Sequence, residues 1–247
     1  ELHHFKLTVI MKKYIFILAI LTSAITSVQA QKRIKGSGKL ATKNLTTKSY
    51  DQIHVKGVLK VVLIKGQEGK IEISGDDNLI EYVEAWVENE KLTIKMKSDN
   101  NFSFKKPLVI KVPVETISEL SLAGPGEISS NNQLTNNELM LNLKGSGDIN
   151  LAVSNHKIQA TVIGSGDINL QGKTNYLEAV VKGSGDIVAK NLTSEDANLT
   201  VIGSGDITAK ATNQVQAQVK GSGDIYVTGN PKNVTQNTIG SGDISIK

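Results

Sequence analysis

Six carboxylates sit in one recurring phrase, Gly-Ser-Gly-Asp-Ile: Asp148, Asp167, Asp186, Asp206, Asp224 and Asp243. Carboxylates are hard oxygen ligands, so stacked with turn carbonyls they could hold Ca²⁺ weakly. Paired carboxylates could also serve as acid and base on a glycosidic bond, and Asp148 with Asp186, two repeats apart, comes near the separation such pairs use. An unvarying row, however, gives no two members the different environments that acid–base work requires. The expectation is therefore a structural row of turn residues. No catalytic, cofactor or metal residue is assigned, and Ca²⁺ is kept as a weak possibility at these six positions.

Other chemistry is sparse. Beyond residue 30 the histidines are His54 and His156 and the arginine is Arg33, which leaves no metal set and no arginine cluster. Ser recurs in each repeat with no partner of its own, so no Ser/His/Asp arrangement can be argued. The aromatic concentration is Tyr82, Trp86, Phe102 and Phe104. Exposed rings there could stack on sugars or on partner side chains, and these four are the candidate binding surface. A flat threonine array of the ice-binding kind is absent: the residues three before each phrase are Asn142, Thr161, Val180, Thr200, Gln218 and Asn237.

The elements that must position these residues follow from the spacing. The phrase starts at Gly145, Gly164, Gly183, Gly203, Gly221 and Gly240, a period of 18 to 20 residues, which is a solenoid signature. Apolar and polar residues alternate on both sides of it, as half-buried strands require. Two residues before each phrase stand Leu143, Val162, Val181, Val201, Val219 and Thr238, and four after its start stand Ile149, Ile168, Ile187, Ile207, Ile225 and Ile244. Each coil reads as strand, GSG corner, strand, then a polar turn such as Ser154-Asn155-His156-Lys157. Both glycines are expected to supply left-handed backbone at the corner, and Asp to accept hydrogen bonds from its own turn. One coil cannot offset the entropy of ordering itself, so the coils must stack.

The residue before each phrase alternates: Lys144, Ile163, Lys182, Ile202, Lys220, Ile239. Pointing outward, the lysines would never be adjacent and their ammoniums would sit near the aspartates. Polar Gln236 and Thr238 at core positions suit a terminal coil open to water.

The first half is less regular. Ile34 to Leu40 and Gly124-Pro125-Gly126-Glu127-Ile128 are degenerate copies of the phrase. A helical turn is expected within 77–82, a hairpin across 83–96 closed at Glu88 to Lys91, and a polar loop over 98–106. One solenoid domain over 31–247 is favoured, with irregular coils in 31–123 and regular ones in 124–247.

Met11-Lys12-Lys13, an apolar run from Tyr14 to Ile25 and Ser27-Val28-Gln29-Ala30 have the form of a cleavable signal peptide. Residues 1–30 are read as leader, Met11 as the true start and Gln31 as the first mature residue. Without Lys6, Lys12, Lys13 and Glu1, the 28 basic and 24 acidic residues become 25 and 23. That balance shows no basic face for nucleic acid, and no further stretch could span a membrane. Cysteine is absent, so packing and hydrogen bonds alone hold the fold. The product is expected in the periplasm, at the outer cell surface or outside the cell.

Ile53 to Met96, with Gly75-Asp76-Asp77-Asn78-Leu79 and Lys91-Leu92-Thr93-Ile94, followed by the GSGDI ladder, resembles the "putative auto-transporter adhesin, head GIN domain" family, secreted proteins common in Bacteroidetes. The resemblance covers roughly 34–247. It implies an all-β, right-handed β-helix with coils of about 19 residues and an adhesive or envelope role, and supplies no catalytic residues. The expected function is a non-enzymatic exported adhesin or binding module of the cell envelope, its partner a polysaccharide or an envelope protein. A polysaccharide-active β-helix enzyme and a structural or assembly module are the alternatives.

Overall fold

The structure, a computed structural model, describes residues 33–97 and 100–247. The leader expected over 1–30 lies outside them. The irregular half contains β1 (Arg33–Lys35), β2 (Leu40–Thr46), β3 (Gln52–Lys56), β4 (Lys60–Lys65), β5 (Lys70–Asp76), a 3₁₀ turn (Ile80–Tyr82), β6 (Val83–Glu88), β7 (Lys91–Met96), β8 (Asn101–Ser103), β9 (Val109–Val114), β10 (Glu119–Ala123) and β11 (Glu127–Ser130). The regular half contains β12 (Leu134–Gly145), β13 (Asp148–Gly164), β14 (Asp167–Gly183), β15 (Ile187–Gly203), β16 (Ile207–Gly221), β17 (Ile225–Thr228), β18 (Asn233–Gly240) and β19 (Ile244–Ile246). The fold is an all-β solenoid of about 7 turns with a spacing of about 19 residues.

Alternation puts one set of aliphatics inside every turn, and parallel pairing stacks them. Ile149, Ile168, Ile187, Ile207, Ile225 and Ile244 lie in register, rung over rung. The column continues beneath them through Ile128, Val61 and Ile110. Its members from Ile110 to Ile225 are buried, and Ile244 is partly so.

The extension shows that the rungs do not stack in chain order. β3 and β4 form the first turn, yet they pair with β7 and β9 on one side and with β10 and β11 on the other. Local alternation specifies the inward face of each strand but says nothing about which turn lies above which.

The corners follow one rule with two different glycines. The first Gly of each phrase has positive φ, 126° at Gly164 for example, a region where a side chain is strained. The second is required by packing and not, as expected, by φ. A Cβ on Gly166 would lie 2.1 Å from the carbonyl oxygen of Gly147. Backbone joins the corners directly: Gly164 O accepts the N–H groups of Ser184 and Gly185 at 2.8 and 3.0 Å.

Three further expectations are corrected. Ser154 to Lys157 is no turn but lies within β13, because the ladder runs on through that bend; behind it Asn155, Thr174 and Ser194 form a buried polar stack. The polar segment 98–106 contains β8, which pairs with β1 as a separate two-stranded sheet. Gly36-Ser37-Gly38 is not a rung corner. It wraps Asp76, whose fully buried carboxylate accepts N–H bonds from Gly38, Lys105 and Lys106 at 2.7, 2.8 and 3.0 Å. Neighbouring Asn78 accepts from the Ser37 N–H and donates to Lys35 O.

The two poles differ. At one, β2, β5 and β9 run antiparallel and cover the end. Beside them the hairpin β6–β7 closes through Asn89 and Glu90, both with positive φ (48° and 59°), the geometry that suits strand twist in a two-residue turn. At the other pole β18 pairs only with β16 among the described residues, and all eight of its residues are exposed.

Candidate functional site

Because side chains alternate across each strand, every outward residue belongs to a column running along the solenoid. The flank built from β3, β7, β10 and the later half of each long strand carries three columns. The central one begins at Trp86 and passes through Thr93, His54, Ser121, Asn142 and Thr161 to Val180, Thr200, Gln218 and Asn237. Hydroxyls and amides dominate it. Near Trp86, Glu119 Oε1 from the adjacent column gathers the His54 ring at 3.0 Å, the Ser121 hydroxyl at 2.9 Å and the Asn142 amide at 3.4 Å.

The third column lies beside the corners. Lys56, Lys144, Lys182 and Lys220 occupy every second rung, and Ala123, Ile163, Ile202 and Ile239 those between. Among the described residues no ion pair joins these lysines to the aspartates, four of which have backbone donors instead.

Those donors come from the next rung. Asp167, Asp186, Asp206 and Asp224 each accept, through Oδ1, the backbone N–H of the following aspartate at 2.7–2.9 Å. The bond joins two rungs instead of closing a turn. The column extends below Asp148 through Glu127 to Lys60, and these last two form an ion pair at 2.9 Å. The row presents one carboxylate per rung, and no group of three or more acidic or histidine side chains converges among the described residues.

Of the four aromatics, three come together. Tyr82 meets Phe102 edge-on at 5.3 Å between ring centroids, and Phe102 stacks on Phe104 at 6.2 Å. Phe104 packs on the core. Trp86 stands apart on the outer side of β6, 38% exposed, with the Lys95 ammonium 5.5 Å from its ring. His156 lies on the opposite bend, bonded to Asn175, which donates in turn to Glu195.

Shallow grooves run between the columns. One, of about 430 Å³, is lined by Asn150, Asn169, Gln171 and Asn191 with Lys190 and has no carboxylate. A second, of about 480 Å³, holds Glu195 and His156, and a third, of about 550 Å³, holds Glu115.

Sequence reading did not single out Asp76 as buried, nor Lys56 and Ala123 as members of the lysine column. The conjunction Gly75-Asp76-Asp77-Asn78 was a signal for the first. For Ala123 the signal was its place just before the degenerate copy at Gly124; for Lys56 there was none, since its turn is stacked out of chain order.

Among the described residues the solenoid has one pole covered by antiparallel strands, one without a further strand, and flanks of repeated polar columns. Residues 49–231 match the family described as "Putative auto-transporter adhesin, head GIN domain", and the chain belongs to that family. Among curated proteins no relative matches it. The crystal structure of a "putative adhesin" from Bacteroides fragilis superposes with a TM-score of 0.82 at 27% identity, over 87% of this chain and 100% of that one. One from Parabacteroides distasonis gives 0.68 at 26% identity, with the same coverage of 87% and 100%. A "putative lipid binding protein" of the latter species, with TM-score 0.72 and 24% identity over 87% and 100% of the chains, shares the fold.

Proposed function

We propose that the protein is an exported, non-enzymatic adhesin-type module that binds a polysaccharide or a protein of the cell envelope along its flank. One observation carries this reading: the outward side chains recur rung by rung as rigid columns instead of converging on a point. Such a surface suits an extended ligand held by many weak contacts at strand spacing. Membership of an adhesin family and likeness to adhesin structures support it. Trp86, at the head of the hydroxyl and amide column, offers a ring face where that column begins. The aspartates, tied one to the next through backbone N–H groups, serve the stack.

The test is a glycan-array and pull-down screen of the protein, with and without Ca²⁺, beside a Trp86→Ala variant. Retention of a glycan or an envelope protein, independent of Ca²⁺ and weakened by the substitution, is the expected result. Shortening of polysaccharide chains on incubation, with nothing retained, would give the protein to enzymes instead.

A further inference from the structure

We infer that the lysine column is a track for an acidic polysaccharide carrying one anionic group on every second sugar ring. This rests on the reading of the flank as a binding surface and assigns that surface a charge pattern.

The alternation follows space, not sequence. Lys56 comes from outside the regular repeat and from a turn stacked out of chain order, and Ala123 from the degenerate copy between them, yet lysine and a small apolar residue continue the alternation there. A duplicated two-coil unit accounts for Lys144 to Ile239 but not for Lys56. Avoidance of like charge is met by any neutral residue in the gaps. Instead Ile163, Ile202 and Ile239 fill them, 44%, 42% and 59% exposed, as apolar steps between the lysines.

The four ammoniums are free. Lys60, Lys95 and Lys111 are each paired with a glutamate. The side chains of Lys56, Lys144, Lys182 and Lys220 have neither ion pair nor hydrogen bond among the described residues. The aspartates follow the corner, on the next strand, and four of them already accept N–H groups. Below Lys56 the pattern stops, where Lys95 is drawn to Trp86 and Glu84.

Two rungs span about 9.6 Å. An extended pyranose chain advances by about one strand spacing per ring, so a disaccharide covers two rungs. An anionic ring then meets each lysine, and the C–H face of the next ring lies on isoleucine or, between Lys56 and Lys144, on Ala123. From Lys56 to Lys220 the track runs about 29 Å with four charges. Duplex DNA carries a charge every ~1.7 Å of its axis, and an anionic bilayer calls for clustered basic residues. A sparse row interleaved with aliphatics fits neither.

Isothermal titration of the protein at low salt tests this with three polymers: hyaluronate (a carboxylate on alternate rings), polygalacturonate (on every ring) and dextran (none). Hyaluronate is expected to bind at least tenfold tighter than dextran. The Lys144→Gln/Lys182→Gln/Lys220→Gln variant loses that advantage while melting with the parent protein. Filling the gaps with Ile163→Lys/Ile202→Lys moves the preference toward polygalacturonate. Hyaluronate no tighter than dextran, an unaffected triple variant, or stronger capture of DNA or phosphatidylserine vesicles overturns the inference. If a neutral glycan or an envelope protein is retained equally by parent and triple variant, the flank remains a binding surface and only its charge pattern is lost. Retention of nothing removes both.

Discussion

Asp76 shows how one buried charge can organise a pole. Burial pushes its pKa up, but the N–H groups of Lys106, Lys105 and Gly38, with the Lys105 charge, outweigh that and hold it below the ordinary value of 3.8. A carboxyl whose pKa falls on folding stabilises the native state above its unfolded value, and that stability is lost as pH drops through the folded one. Acid melts below about pH 4 should therefore weaken the parent protein. Asp76→Asn, which turns an amide donor toward at least one of these N–H groups, should lower the melting temperature at neutral pH and flatten this acid dependence. Thermal melts from pH 2 to 7 check both. At the corners, Gly166→Ala forces a methyl against Gly147 O and should cost about 3 kcal/mol, whereas exposed Ser165→Ala should cost under about 0.5 kcal/mol; urea titration separates them. The sequence told that glycine was needed at both positions. It could not tell that one serves φ and the other close approach, because the clashing atom belongs to a neighbouring rung.

At the scale of the element, a strand is worth what its neighbours cover. Ile187 is fully buried between rungs, whereas Ile244 has a partner on one side only. Ile187→Ala should cost roughly 3–5 kcal/mol and Ile244→Ala about 1 kcal/mol, measured by denaturant unfolding. The alternation that makes these strands was plain in the sequence, as were the hairpin across 83–96 and the 3₁₀ turn. Long strands that bend without breaking were not. Polar residues at 154–157 look like a loop until Asn155, Thr174 and Ser194 are seen hydrogen-bonded to backbone at the bend. Such bonds let a polar residue turn inward without leaving the ladder. The same limit applies to the flank: its columns were readable within the repeat but stopped at residue 144, where regular spacing ends.

For the whole molecule the difference between the poles governs association. The open rung places Gln236 and Thr238 where aliphatics stand elsewhere and leaves β18 with a free edge. Polar residues at such an edge discourage pairing with another chain. Gln236→Leu/Thr238→Val should therefore produce concentration-dependent oligomers in sedimentation velocity while raising the melting temperature of the assembled form.

The displaced first turn has a consequence for assembly in time. A polypeptide emerging from its N-terminus would release β3 and β4 with both flanks bare; one is filled once residues through 114 have followed and the other only at residue 130. Growth must then start from a central seed and move outward in two directions, so the earliest segment waits longest for company. The first turn is enclosed on both sides only when residue 130 of 247 has arrived.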